Sequence, residues 1–270
     1  MPSGSGSNAF ASLLRAPNPG PMTLDGTNTW VLRGLGSGTA IVVDPGPADE
    51  GHLAAVAAAG PVELIVLTHR HLDHSDGVER LRELLDGVPV AAADPTLCRD
   101  AAPLTDGDRI DAAGVTIEVI ATPGHTADSV SFVVSAGVDR GICTGDTILG
   151  RGTTVVAWPD GNLADYLATL DRLARFDGVP VLTGHGPLLP DCGEIARAYR
   201  AHREERIVQV RAALANGART PADVVAQVYP DLEPALVPAA EWTVRAALAY
   251  LEHDTTDVGA IGDPVPQDST

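Results

Sequence analysis

Between positions 68 and 74 the chain reads Thr-His-Arg-His-Leu-Asp-His, so three imidazoles (His69, His71, His74) and one carboxylate (Asp73) fall within six consecutive residues. Neutral imidazole and carboxylate together are donors for zinc or a similar first-row cation. Four such groups can meet at one point only if the backbone turns sharply among them, and the flanks indicate that it does. Residues 63–68 form a short apolar run rich in branched side chains, as in a buried strand. Val78, Leu81, Leu84 and Leu85 then recur at helical spacing. The cluster belongs on a tight strand-to-helix loop.

Three later segments share one form, a strand ending in a ligand-type residue within a Gly-containing turn. Val119-Ile120-Ala121 leads into Thr122-Pro123-Gly124-His125, Ile142-Cys143 into Thr144-Gly145-Asp146, and Val181-Leu182 into Thr183-Gly184-His185-Gly186. Strands supply rigidity and glycine permits close backbone approach, so these groups gather along one sheet edge. With the first loop they make five imidazoles and two carboxylates, enough for two cations with an open position.

The elements that must position these residues are partly legible. Strands are expected at 27–33, 39–44, 62–68, 88–92, 115–121, 129–135, 140–145 and 179–183. An Ala-rich helix follows Asp44-Pro45-Gly46 to about Ala59, and another spans 163–176 on a stripe of Leu163, Tyr166, Leu167, Leu170 and Leu173. Beyond Asp191 the pattern turns helical: one long segment over 194–216 closed by Gly217, a start at Thr220-Pro221-Ala222-Asp223 with a capping hydroxyl, and a third helix over 234–253. Strands following strands, with helices between only some of them, predict an α/β (α+β) mixed-sheet sandwich covered by helices. The expected organisation is a disordered stretch 1–9, a catalytic domain 10–192, a small helical subdomain 193–255 and a loose tail 256–270.

Composition removes several classes. The 18 basic residues are all arginine, against 36 acids, for a net charge of −18. Without lysine there is no Schiff base, lysine nucleophile or P-loop lysine. The acidic field repels nucleic acid and anionic membrane at long range. Cys98, Cys143 and Cys192 have no metal-ligand spacing and read as small hydrophobes of a reducing compartment. Residues 1–7 carry no positive or apolar region of a signal peptide, and no apolar run is of membrane-spanning length, so the sequence reads as soluble and cytoplasmic.

The order His69-x-His71-x-Asp73-His74, then His125, Asp146 and His185, resembles the metallo-β-lactamase superfamily. Within it, Asn18-Pro19-Gly20-Pro21-Met22-Thr23-Leu24 with Gly26-Thr27-Asn28-Thr29-Trp30 is similar to the N-terminal signature of the lactamase-beta-2-like branch. Asp146-Thr147-Ile148-Leu149-Gly150, followed by Gly152-Thr153-Thr154-Val155, is similar to a segment that branch carries further on. His202-Arg203 and Val228-Tyr229-Pro230 resemble its winged-helix-like appendage. The resemblance implies a four-layer αββα sandwich with that appendage and two zinc ions, with iron or manganese as alternatives. One metal would sit on His69, His71 and His125, the other on Asp73, His74 and His185, with Asp146 bridging. True β-lactamases of the best-known dizinc class carry cysteine in place of Asp146, which disfavours antibiotic hydrolysis; Cys143 faces the opposite side of its strand.

The same resemblance implies a metal-bridging hydroxide attacking a carbonyl or phosphorus centre, with Asp73 steering the nucleophile or passing its proton to the leaving group. The branch offers two substrates, single-stranded RNA for an endoribonuclease, or a small-molecule ester or thioester for a thioesterase. Arg70, Arg203 and Arg206 are the phosphate candidates, and Asn28 and Thr29 are candidates for supporting or substrate contacts. A homodimer is compatible with the sequence. A non-catalytic scaffold on the same fold would be expected to have lost metal ligands, and all seven are present. His52 and His253 read as exposed helix residues, and His202 as a neighbour of the groove where appendage meets core.

Overall fold

The computed structural model describes residues 9–258. Two five-stranded mixed sheets face each other. The first runs β1 (Ala11–Arg15), β2 (Asn28–Leu32), β3 (Ala40–Val43), β4 (Val62–Val66) and β5 (Val90–Ala91) in spatial order, antiparallel up to β3 and parallel from there. The second places β6 (Arg109–Ala112), β7 (Val115–Ala121), β8 (Val130–Ala136), β9 (Asp139–Gly145) and β10 (Val181–Thr183) side by side, antiparallel except for the last pair.

Two-residue alternation assigns each strand's faces. Ile41 and Val43 point between the sheets with Trp30, Val66, Phe132, Val134, Cys143 and Leu182. Val42, Val31 and Ile65 point outward under α1 (Glu50–Ala58) and α3 (Val78–Leu84), against Leu53, Val56, Val78 and Leu81. Ile142 and Val133 point outward on the other sheet, under α4 (Leu163–Leu173) and α5 (Cys192–Ala215). Strands covered on both faces must be apolar throughout, which is why β2 and β3 read as unbroken hydrophobic runs interrupted only by Asn28 and Thr29. The result is the expected αββα order of layers.

The helical region is α5, α6 (Pro221–Val228) and α7 (Val237–Val258), with no strand among its described residues. The capping box at Thr220 and Asp223 is formed as expected, with proline at the first turn. Ile207, Val210, Val224, Val244 and Leu251 join one core with Ile142, Tyr166 and Val181, so these helices are fused to the outer layer of the second sheet. No helix among the described residues is long and apolar enough to cross a membrane.

Several expectations are corrected. β1 and β6, both edge strands, have no counterpart in the sequence reading. The strand expected over 88–92 shortens to two residues, and the helix expected from 234 begins as a 3₁₀ turn at Pro234–Leu236 before α7. The stretch expected to be disordered lies, apart from residue 9, outside the described residues, as does the expected tail beyond Val258.

Candidate metal centre

All the predicted ligand positions open at the same end of the sandwich. β3 and β4 are parallel neighbours and end together at Asp44 and Thr68, and a short helix α2' (Leu72–Ser75) follows the loop carrying His69 and His71. From the other sheet, β7 delivers His125, β9 Asp146 and β10 His185. The layers approach so closely here that two glycines are required. A Cβ on Gly145 (φ +48°) would lie 2.3 Å from Thr68 Oγ1, and one on Gly184 would lie 2.7 Å from Asp146 Oδ1.

Two clusters result. His69 Nε2 and His125 Nε2 lie 3.1 and 3.0 Å from His71 Nδ1. Beside them, His185 Nε2 is 3.2 Å from His74 Nε2 and 3.1 Å from Asp73 Oδ2. Asp146 spans the two: Oδ2 is 3.8 Å from His125 Nε2, while Oδ1 is 3.4 Å from His74 Nε2 and 3.3 Å from His185 Nε2. Each cluster's donor atoms fall within 4.8 Å of one another.

The donors fit divalent cations. His125 Nδ1 donates to Val155 O (2.7 Å) and His185 Nδ1 to Gly26 O (3.3 Å). His74 Nδ1 donates to Asp44 Oδ2 (2.9 Å), and His69 Nδ1 to Thr68 Oγ1 (3.1 Å), whose own proton goes to Asp44 Oδ2 (2.7 Å). Four rings thus have Nδ1 committed outward and turn Nε2 toward one another. Lone pairs facing at such distances repel unless a cation lies between them, and ligand atoms about 2.0–2.1 Å from a tetrahedral zinc are themselves about 3.3 Å apart. Asp146 Oδ1 is buried with no hydrogen-bond partner, the state of an oxygen reserved for a metal.

Electrostatics divide the clusters. Burial, reinforced by neighbouring imidazoles, drives His69 well down and His71 to about 4, so both are neutral at pH 7. For His74 and His185 burial also opposes charge, but the Asp146 carboxylate outweighs it, holding His74 well above its ordinary value and His185 at about 9. Asp146 is held well below the carboxylate range: its burial is overcome by His185 and His74. The signs for the metal-free protein follow. His185 gains a proton on folding, so its stabilisation is complete below about pH 6.5 and is lost as pH rises through 9; His71 sheds one, so stability falls as pH drops from about 6.5 to 4. Chelator-stripped protein is therefore expected to melt highest near pH 6.5. Cation binding at pH 7 is expected to release about two protons, from His74 and His185. Calorimetry in buffers of different ionisation enthalpy checks the release, and a buffer-independent heat contradicts it.

Supporting contacts explain the other singled-out residues. Asn28 and Thr29, expected as supporting or substrate contacts, are fully buried beneath the site and do not line the cavity. The Asn28 amide donates to Thr183 O (3.0 Å) and Gly186 O (2.8 Å), and Trp30 Nε1 donates to Thr183 O (3.0 Å), clamping the turn that bears His185. Thr29 Oγ1 donates to Asp44 O (2.7 Å) and lies 2.9 Å from His52 Nε2. His52, expected to be exposed, is 5 % exposed and sits behind Asp44. His253 is exposed as expected. Asp44 itself (φ +52°) was read only as a turn; it accepts from Thr68 N, Thr68 Oγ1 and His74 Nδ1. Cys143 lies in the core between the sheets, its thiol pushed up by burial.

A cavity of about 300 Å³ adjoins the centre. His125 and Asp146 form one wall, Met22 and Leu24 another, and Leu149 to Val155 a third. Tyr229, Leu232, Leu236, Ala239 and Ala240 from the helical region cover it, with His202 and Arg203 of α5 also on its surface. Arg70 is tied to Asp128 (3.1 Å) and Asp160 (3.0 Å), and Arg206 lies over the Tyr229 ring.

The comparisons agree with this geometry. The metallo-beta-lactamase superfamily model matches residues 22–97 and 99–185, and the beta-lactamase associated winged helix domain matches 220–255. A Beta-lactamase-like protein 2 homolog of Caenorhabditis elegans is 33 % identical, over 85 % of this chain and 77 % of its own length. An atrochrysone carboxyl ACP thioesterase of Aspergillus fumigatus is 30 % identical, over 78 % of this chain and 71 % of its own. A Beta-lactamase domain protein from Burkholderia ambifaria superposes with a TM-score of 0.77 over 91 % of this chain and 86 % of its own, at 24 % identity, and shares the fold. Strand-end ligands on two facing sheets, a helical C-terminal extension and this kinship lead to one conclusion: the chain belongs to the metallo-beta-lactamase superfamily, among relatives of beta-lactamase-like protein 2, and is a metal-dependent hydrolase.

Proposed function

We propose that the chain hydrolyses acyl thioesters at a dinuclear centre, and the observation that carries this is the apolar cavity opening onto His125 and Asp146. His69, His71 and His125 would hold one cation and Asp73, His74 and His185 the other, with Asp146 between them. Zinc suits the imidazole-rich trio, and iron or manganese suit the carboxylate-bearing one. Cations bound there would supply a water ionisable at about pH 7 and polarisation of the substrate carbonyl.

The chain's own residues do the rest. The cavity takes the acyl chain between Met22, Leu149 and Leu236, excluding water from it and presenting its carbonyl carbon at the centre. Asp73 is the more solvent-exposed of the two carboxylates at the centre, with a side chain 30 % exposed against 11 % for Asp146. With Oδ2 turned to His185 as a metal donor, its other oxygen, Oδ1, can take the proton released as the C–O bond forms and return it to the departing thiolate as the C–S bond breaks.

The Aspergillus relative named as a thioesterase supports this reading. An RNA substrate has less support. Phosphodiester binding needs several free cations, whereas the chain carries −18, Arg70 is held by two carboxylates and Arg151 by Asp25. Metal-loaded protein is expected to cleave acyl-N-acetylcysteamine thioesters and to leave labelled single-stranded RNA intact. Degraded RNA with untouched thioesters would reverse the assignment.

A further inference from the structure

Arg203 is 3 % exposed, yet no ion pair among the described residues involves it. Its Nη2 donates to Thr154 O, its guanidinium lies 5.4 Å from the centre of the Tyr166 ring, and its Nε is buried without any hydrogen-bond partner. A buried cation with an idle donor is costly to keep, and the cost is removed by an anion that the described residues do not supply.

Arg203 lines the same cavity as His125 and Asp146, and also lines a small adjoining recess with Arg206 and Tyr229. Arg206, one helical turn further along α5, likewise has a buried, unpartnered Nε. His202 is held below its ordinary value by burial and then by these two arginines. The cavity is therefore apolar along its walls and cationic where it meets α5.

Building on the thioesterase reading, we propose that Arg203 determines specificity: the cavity takes an acyl chain that ends in a carboxylate, held by the Arg203 guanidinium while the thioester carbonyl lies at the metal centre. A guanidinium can offer two parallel N–H donors to the two oxygens of a carboxylate, and in Arg203 the Nε–H is the donor left without a partner.

Arg203 also has a structural contact. By binding Thr154 O it steadies the segment whose next carbonyl, Val155 O, orients His125. A purely positioning role would affect every substrate equally, so the test compares a matched pair: hexanoyl and adipoyl thioesters of N-acetylcysteamine, equal in carbon count and differing by one terminal carboxylate. The wild-type protein is expected to favour adipoyl by about 30-fold in kcat/KM, the scale of a hydrogen bond to a charged partner. R203M is expected to reduce that ratio to about 1, chiefly through loss of adipoyl turnover. No preference in the wild type, or an equal fall on both substrates in R203M, would overturn the proposal. The wild-type ratio decides on its own if R203M does not fold. Calorimetric binding of adipate against hexanoate to the metal-loaded protein separates this from the reading beneath it. Tighter adipate binding in a protein that cleaves neither thioester would sustain carboxylate recognition and refute the thioesterase. Thioester cleavage with equal adipate and hexanoate binding would do the reverse.

Discussion

Asp146→Ala is expected to lower hydrolytic turnover by about 10³-fold and to halve the bound metal, without unfolding the chain. The two carboxylate oxygens face different clusters, Oδ2 toward His125 and Oδ1 toward His74 and His185. Removing them takes one ligand from each cluster and the only carboxylate common to both. The second cluster suffers more, because Asp146 is what holds His74 and His185 in their polarised state. Water activation and carbonyl polarisation by a cation are each worth several kcal/mol, and about 4 kcal/mol corresponds to 10³ in rate. Metal analysis alongside kcat at saturating substrate checks it. Retention of two cations with near-normal kcat would remove Asp146 from the account.

Asp44→Asn is expected to weaken metal affinity by about 10–100-fold and to cost about 2–4 kcal/mol of stability, although Asp44 touches no substrate. Its two oxygens accept three hydrogens, from Thr68 N, Thr68 Oγ1 and His74 Nδ1. The amide has one oxygen for these three donors, and its NH₂ would face some of them. Asparagine tolerates the left-handed backbone at this position (φ +52°), so the substitution isolates the carboxylate's contribution from backbone strain. His74 would lose its fixed tautomer, and through Thr68 so would His69. Thermal melting and a metal-competition titration measure the two effects. Metal affinity within twofold of wild type would show that the rings are oriented by packing alone.

How much of this was legible in the sequence depends on where each residue sits. Four ligand positions could be read from their dense spacing after one apolar strand, and His125, Asp146 and His185 because each follows a strand in a turn whose glycine marks close approach, Gly124, Gly145 and Gly184. Asp44 had the same form, Val42-Val43 leading into Asp44-Pro45-Gly46, but the Pro-Gly pair already accounted for the aspartate as a turn former. Its partners, Thr68 and His74, are 24 and 30 residues away, and nothing local reports them. His52 is misplaced because α1 is rich in alanine, with small apolar residues on every side, so apolar spacing does not distinguish an inner from an outer face. β1 and β6 are edge strands with half or more of their residues exposed and none fully buried, and their pairing partners supply most of what makes them strands. The cavity was beyond reach, since it needs Met22, Val155 and Leu236 together, and no sequence spacing predicts their meeting.

The account rests on two cations held by these seven side chains. Metal content of the purified chain, read together with X-ray absorption at the metal edge, tests this most directly. Two divalent ions per chain in shells dominated by imidazole nitrogen, falling to one or none in a His71→Ala variant, is the predicted result. A chain that binds no cation when one is supplied in excess, yet still hydrolyses its substrate, would contradict it.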